Sequence, residues 1–163
     1  MRARMPTPAF TDEDTSSIIK KAVFSSQMAN PTVEYQVHLP ETEVKLHCDE
    51  RQVTQVITNL LKNAAEAIEF RLEQNAQGDK GRIDISLSQE NGQIILTIED
   101  NGIGFPPGDA KKMLEPYVTT RSKGTGLGLA IVKKIMEDHK GKISLENNVK
   151  GGARVLLYFP ATV

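Results

Sequence analysis

The sequence predicts a single α/β domain, and three observations carry that prediction. Three segments repeat apolar residues at helical spacing, three pairs of shorter runs alternate apolar with polar residues, and the two kinds follow one another along the chain. At 163 residues, 39% hydrophobic and 25% charged, the chain can bury one sizeable core and is too short for a second independent domain.

Residues 1–10, with Arg2, Arg4, Pro6 and Pro8, read as an extended arm or the remnant of a cut, and 11–163 as the domain. A first helix is expected from about Thr11 to Ala29, with Thr11 or Asp12 as cap, Asp12, Glu13 and Asp14 in its first turn, and Ile18, Ile19, Ala22 and Val23 inward. Asn30-Pro31 ends it. Val33, Tyr35, Val37 and Leu39 have the period of a half-buried strand, with Val44 and Leu46 as a short partner.

The longest helix runs from Asp49 to about Asn75, with Val53, Val56, Ile57, Leu60, Leu61, Ala64, Ala65 and Ile68 on one face. Ile83, Ile85 and Leu87, then Asn91-Gly92, then Ile94, Leu96 and Ile98 spell an antiparallel hairpin. Residues 101–125 are a long loop with a turn of helix near Ala110 to Leu114. A third helix is expected from about Gly126 to His139, with Leu127, Ala130, Ile131 and Ile135 inward and Gly141 as its stop. A final hairpin joins 142–147 to 153–159.

A net charge of −1 gives no overall basic field of the kind nucleic acid or an anionic membrane attracts. Any hold on phosphate must be local. Cys48 is the only cysteine, so no internal disulfide can form, which suits a reducing compartment. No apolar run approaches the roughly 18 residues of a membrane span, so an anchor in the inner membrane would belong to a longer parent protein.

Chemistry concentrates in three places. The first is Lys123-Gly124-Thr125-Gly126-Leu127-Gly128-Leu129, where glycines at alternate positions open into a helix whose unpaired N–H groups and dipole favour an anion. The spacing is neither the dinucleotide fingerprint nor a P-loop, and a plain flexible loop is the alternative. The second is Asn59, Asn63 and Glu66, which share one edge of the long helix beside its apolar seam. They are either a solvated polar edge or the oxygen donors of a metal–phosphate site.

The third is Asp100-Asn101-Gly102-Ile103-Gly104-Phe105, where a strand ends in an acid and runs into glycines. Asp100 either caps an ordinary turn or, at an inward position, needs a donor such as the exocyclic amine of a purine. His38, in a strand, His47, beside Cys48 and Asp49, and His139, at a helix end where it favours the dipole, read as structural.

Taken in order, Asn59-Leu-Leu-Lys-Asn63-Ala-Ala-Glu66-Ala, Asp100-Asn-Gly-Ile-Gly-Phe, Glu115-Pro-Tyr117-Val-Thr119-Thr120 and Gly124-Thr-Gly-Leu-Gly-Leu-Ala resemble the N, G1, F and G2 boxes of sensor histidine kinases. Their wording, with Arg4-Met5-Pro6 before the first helix, is most similar to nitrogen-regulatory kinases of the NtrY/NtrB type. The resemblance covers residues 11 to 160 and implies the Bergerat ATP-binding fold: a mixed sheet of about five strands, three helices on one face, and a mobile lid over the nucleotide.

The implied cofactors are ATP and Mg²⁺. By resemblance Asn63 ligates the metal, Asn59 supports the phosphate site with Glu66 a turn beyond, and Asp100 accepts the adenine amine. Gly102 and Gly104 let the backbone pass near the base, with Ile103 and Phe105 lining the pocket. Thr119 and Thr120 belong to the F box, Gly124, Thr125, Gly126, Leu127, Gly128 and Leu129 to the phosphate loop, and Arg121 and Lys123 balance γ-phosphate charge.

In gyrase, MutL and Hsp90-type relatives, a glutamate that activates water sits one turn before the metal-binding asparagine. Here that position is Asn59, so ATP is kept for another nucleophile. The phosphoacceptor histidine motif of the kinases is missing, and Ala153 stands where a threonine is common after the last glycine pair. The resemblance therefore implies a catalytic domain working on a separate dimerisation and phosphoacceptor domain, with a response regulator downstream. Alone it should be a monomer, in a homodimeric parent. An anti-sigma-type serine/threonine kinase and a nucleotide-dependent binding module are the alternatives.

Overall fold

The computed structural model describes residues 7–106, 110–115 and 128–161. Its elements in chain order are β1 (Thr11–Asp14), α1 (Thr15–Ala29), β2 (Glu34–His38), β3 (Lys45–Cys48), α2 (Glu50–Gln74), β4 (Arg82–Glu90), β5 (Gln93–Asp100), a 3₁₀ turn at Ala110–Leu114, α3 (Gly128–Asp138), β6 (Lys142–Asn147) and β7 (Ala153–Pro160). A five-stranded sheet in the order β2-β4-β5-β7-β6 carries the three helices on one face, the expected two-layer α/β architecture. It is a mixed sheet: β2 runs parallel to β4, and every other neighbour is antiparallel.

The core lies between the layers. Ile83, Ile85 and Leu87 of β4, Ile94, Leu96 and Ile98 of β5, and Val155, Leu157 and Phe159 of β7 are buried on the helix-facing side. The ladder sets Ile98 opposite both Ile85 and Val155, and Leu96 opposite Leu87 and Leu157, so apolar rows cross the sheet. Against them lies the α2 seam, where all eight residues expected inward are buried and Ala67 joins them. Asp49 caps this helix, its Oδ1 accepting from Gln52 N at 3.2 Å. The β4–β5 turn holds Asn91 and Gly92 at φ 52° and 75°, the mirror-image turn whose twist suits a two-residue hairpin.

The start of the chain departs from expectation. Thr11–Asp14 is a strand that pairs antiparallel with β3, and the helix begins only at Thr15, capped by Asp14, which accepts from Ser16 N at 3.1 Å. The pairing supplies what the local acidic pattern cannot: Asp12 faces His47, with Oδ1 and Nδ1 2.8 Å apart, and Asp14 faces Lys45. Val44–Leu46 is accordingly no partner of the strand at 34–38, which pairs with β4 instead. On α3 the buried stripe is Leu129, Val132, Ile135 and Met136, while Ala130 and Ile131 are half-buried. The expected inward face was thus rotated by about one residue; Leu127 lies outside the described residues.

His139 is packed into the domain just past the end of α3. It is 4% exposed, its Nδ1 donates to Ile135 O at 2.8 Å and its Nε2 accepts from Asp49 N at 3.1 Å. Nδ1 is thus the ring's donor and Nε2 its acceptor. Phe10 stacks on it at 4.6 Å between ring centroids, and Ala9 N donates to Asp49 Oδ2 at 2.8 Å. The chain is therefore fastened to the domain from Ala9 onward.

Candidate functional site

Three half-buried polar residues, Asn59, Asn63 and Glu66, lie along one edge of α2 as their spacing requires. Only Asn63 reaches the cleft that opens beside the helix. Leu60, Ala64 and Ala67 of α2 and Ile98 of β5 form an apolar wall of this cleft, and Ala153 and Val155 of β7 continue it. Met113 of the 3₁₀ turn and Leu129 of α3 line it too, as do Asp100, Gly104 and Phe105. Asn59 and Glu66 flank this lining on the same edge without belonging to it.

Asp100 ends β5 at 9% exposure and contributes to the cleft. Its Oδ1 accepts from Gly102 N at 2.8 Å and from Ala153 N at 3.4 Å. The donors a carboxylate buried here needs include two backbone amides. Asp100 therefore closes an Asx-type turn and lines the cleft at once, so the two sequence-based alternatives are not exclusive.

The loop after Asp100 is braced on three sides. Asn101 Oδ1 accepts from Arg82 N at 2.8 Å, its Nδ2 donates to Lys80 O at 2.8 Å, and Arg71 Nε of α2 donates to its carbonyl at 2.5 Å. Gly102 lies against the helix rather than the cleft: a Cβ there would stand 2.6 Å from the Ala67 carbonyl carbon and 2.7 Å from Ile68 N. Ile103 donates its amide to Ala67 O at 3.2 Å and leaves its side chain 52% exposed, outside the cleft lining, contrary to the expected pocket role. Gly104, at φ +81°, and Phe105 do line the cleft.

Gly128 opens α3 with open space where a Cβ would be, and Leu129 next to it enters the cleft. Thr119, Thr120, Arg121, Lys123, Gly124, Thr125, Gly126 and Leu127 lie outside the described residues. The apolar wall residues Leu60, Ala64 and Ile98 lie on the periodic apolar faces of α2 and β5, and periodicity carries no sign that a core stripe continues into a cleft. Asn147 was also missed: its Oδ1 accepts from Phe105 N at 2.8 Å and its Nδ2 donates to Phe105 O at 2.9 Å. None of His38, His47 and His139 is among the lining residues.

The donor set limits what metal could sit here. Among the described residues no group of three or more His, Cys, Asp or Glu could hold an ion. A single amide oxygen from Asn63 fits Mg²⁺ only if phosphate and water supply most of the octahedron, the usual manner in which this ion accompanies nucleotides.

A mixed five-stranded sheet under three helices, with a cleft bounded by the long helix, the exit of a central strand and the third helix, defines the class: the ATP-binding catalytic domains built on the Bergerat fold. The family model for histidine kinase-, DNA gyrase B- and HSP90-like ATPases matches residues 48–163, and the chain belongs to that family. It is 44% identical over 160 residues to the nitrogen regulation protein NtrY of Azorhizobium caulinodans, covering 98% of this chain and 20% of that protein. An NtrY-like sensor histidine kinase of Rickettsia conorii is 38% identical over 96% of this chain and 25% of its own length.

The chain thus spans a fifth to a quarter of these relatives. Among solved structures, the nucleotide-free catalytic domain of histidine kinase ThkA superposes with a TM-score of 0.79 at 27% identity, over 94% of this chain and 98% of that one. The mycobacterial sensor histidine kinase MprB shares the fold, with a TM-score of 0.81 at 23% identity over 94% of this chain and 98% of that one.

Proposed function

We propose that this domain binds ATP with Mg²⁺ in the cleft and donates the γ-phosphoryl group to a histidine on a dimerisation and phosphoacceptor domain of its parent protein, for onward transfer to a response regulator. One observation carries the reading: an apolar slot whose lining includes a fixed carboxylate, Asp100, and the amide of Asn63 from the edge of α2. Asp100 suits the adenine amine, Leu60, Ala64, Ile98 and Val155 suit the flat apolar ring, and Asn63 suits the cation beside the phosphates. When bound, Mg²⁺ would neutralise charge building on the γ-phosphate.

The residues also favour holding ATP over hydrolysing it. Among the described lining residues Asp100 is the only carboxylate, and it is tied to the Gly102 and Ala153 amides. Asn59 cannot act as a general base. Arg121, Lys123, Thr119, Thr120 and the run Gly124–Leu127, assigned to the phosphates by resemblance, would complete the site, and the dipole of α3 adds a favourable field for them. In this reading residues 11–163 form the catalytic domain, 1–10 the arm leading to it, and the domain works in the cytoplasm as part of a homodimeric parent. The NtrY-like relative of Rickettsia conorii and both solved structures carry the names of histidine kinases, so neither the serine/threonine kinase nor the signalling module without chemistry is favoured.

The test has two arms. Titration calorimetry should show ATP binding that is strengthened by Mg²⁺, with GTP at least about tenfold weaker. Mixed with the parent's helical phosphoacceptor domain and γ-labelled ATP, the domain should place label on a histidine, as an acid-labile, alkali-stable adduct. Absence of ATP binding at millimolar nucleotide, or transfer of label only to hydroxyl side chains, would overturn the reading.

A further inference from the structure

We propose that Asn147, at the end of β6, is a positioning residue for the nucleotide site: its side-chain amide fixes the Gly104–Phe105 wall against which the base binds. The inference rests on the ATP reading of the cleft. Phe105 sits five residues past the end of β5, where its backbone has left the sheet and has no strand partner. Asn147 takes that partner's place. Its amide has the donor and acceptor of a peptide group, and it uses both on one residue, accepting from Phe105 N at 2.8 Å and donating to Phe105 O at 2.9 Å across 42 positions of sequence.

The neighbouring backbone is shaped to admit this amide. Gly104 has φ +81°, and a Cβ there would lie 2.8 Å from Asn147 Oδ1. From the other side of the same β6–β7 turn, Ala153 N reaches Asp100 Oδ1 at 3.4 Å. One turn therefore holds both the carboxylate and the wall, so that the distance between them is set before any ligand arrives.

Both hydrogen bonds are solvent-exposed, so removing them should leave the domain folded while letting Phe105 wander. Expected for Asn147→Ala is a loss of about five- to tenfold in affinity, equal for ATP and AMP because the wall meets the base and not the phosphates. Asn147→Asp should lose as much, since a carboxylate keeps the acceptor but opposes the Phe105 carbonyl. Hydrogen exchange at the Phe105 amide should quicken in Asn147→Ala, with the midpoint of thermal unfolding nearly unchanged.

Three results would overturn the proposal: wild-type affinity for both nucleotides in Asn147→Ala, a loss confined to ATP, or a lowered unfolding midpoint with affinity intact. If the wild-type domain binds no ATP at all, the underlying reading of the cleft fails and takes this one with it. Wild-type binding with an unaffected variant sinks this inference alone.

Discussion

Replacing Asp100 by Asn changes one atom and should change which base the cleft accepts. In the wild type, Oδ1 of Asp100 is held by Gly102 N at 2.8 Å and Ala153 N at 3.4 Å. An amide oxygen can stay on both N–H groups, so the loop should keep its shape and stability should move by no more than about 1 kcal/mol. With the oxygen so held, the NH₂ occupies the place of the second carboxylate oxygen.

Opposite an adenine amine, two donors then face each other, and the charge-assisted bond is lost outright. Such a bond is worth roughly 1.5–3 kcal/mol, so ATP should weaken about 10- to 150-fold. The carbonyl of guanine, which a carboxylate repels, now meets a donor, so GTP should gain on ATP. Calorimetric titration of both proteins with both nucleotides reads the ratio, and a thermal melt checks the fold. Unchanged ATP affinity in a folded variant, or equal weakening of ATP and GTP, would show that Asp100 does not read the base.

Asn63→Ala should abolish the Mg²⁺ dependence of ATP binding while leaving metal-free binding within about twofold, because in the proposed reading Asn63 is the ion's amide-oxygen ligand among the described residues; an unaltered magnesium titration would remove Asn63 as its ligand. Cys48 has no solvent exposure, and burial, helped by the charges of Glu13, Asp49, Glu50 and Asp12, pushes its thiol up to about 12. It should therefore resist thiol reagents at pH 8 until the protein unfolds. The native thiol keeps its proton while the unfolded one ionises above 9.0, so this contribution to stability is intact at neutral pH. It should fall by about 1.4 kcal/mol per unit as pH rises beyond that value. Denaturant melts at rising pH, compared with Cys48→Ala, would reveal it; parallel curves would contradict the burial argument.

How much of this was legible in the sequence depends on how local the cause is. The α2 seam, the β4–β5 hairpin and the caps at Asn30 and Asp49 are set by residues within a few positions of one another, and each lies where its pattern put it. Thr11–Asp14 reads as a helix start because three acids follow a threonine, yet its conformation is decided by Lys45–Cys48, more than thirty residues away. Likewise the phase of α3 follows from the insertion of Leu129 into a cleft whose other walls come from α2, β5 and β7. In the site itself, Asp100 and Asn63 stood out because a carboxylate and an amide interrupt apolar patterns. Asn147 gave no such signal, since an asparagine at a strand end before a turn is ordinary.

The glycines after Asp100 call for a different weighting from the one their spacing invites. Gly102 is filled from behind by the α2 backbone, and Gly104 makes room for Asn147. Both are required by how the loop closes against the helix and against the β6–β7 turn, whether or not a ligand is present. A side chain at Gly102 would prise the loop from α2 and break the Ile103 N to Ala67 O bond of 3.2 Å. The glycines therefore keep the loop rigid with or without a ligand, and Gly104 lines the cleft as well. In the proposed reading, nucleotide is recognised by the charge that the rigid loop holds still: a carboxylate clasped by two backbone amides in the lining of an apolar slot that also holds an asparagine from a well-packed helix. Electrostatic recognition that is fixed in advance loses nothing to reorganisation when the ligand arrives, which is why the tenfold discrimination expected between adenine and guanine can rest on a single side chain.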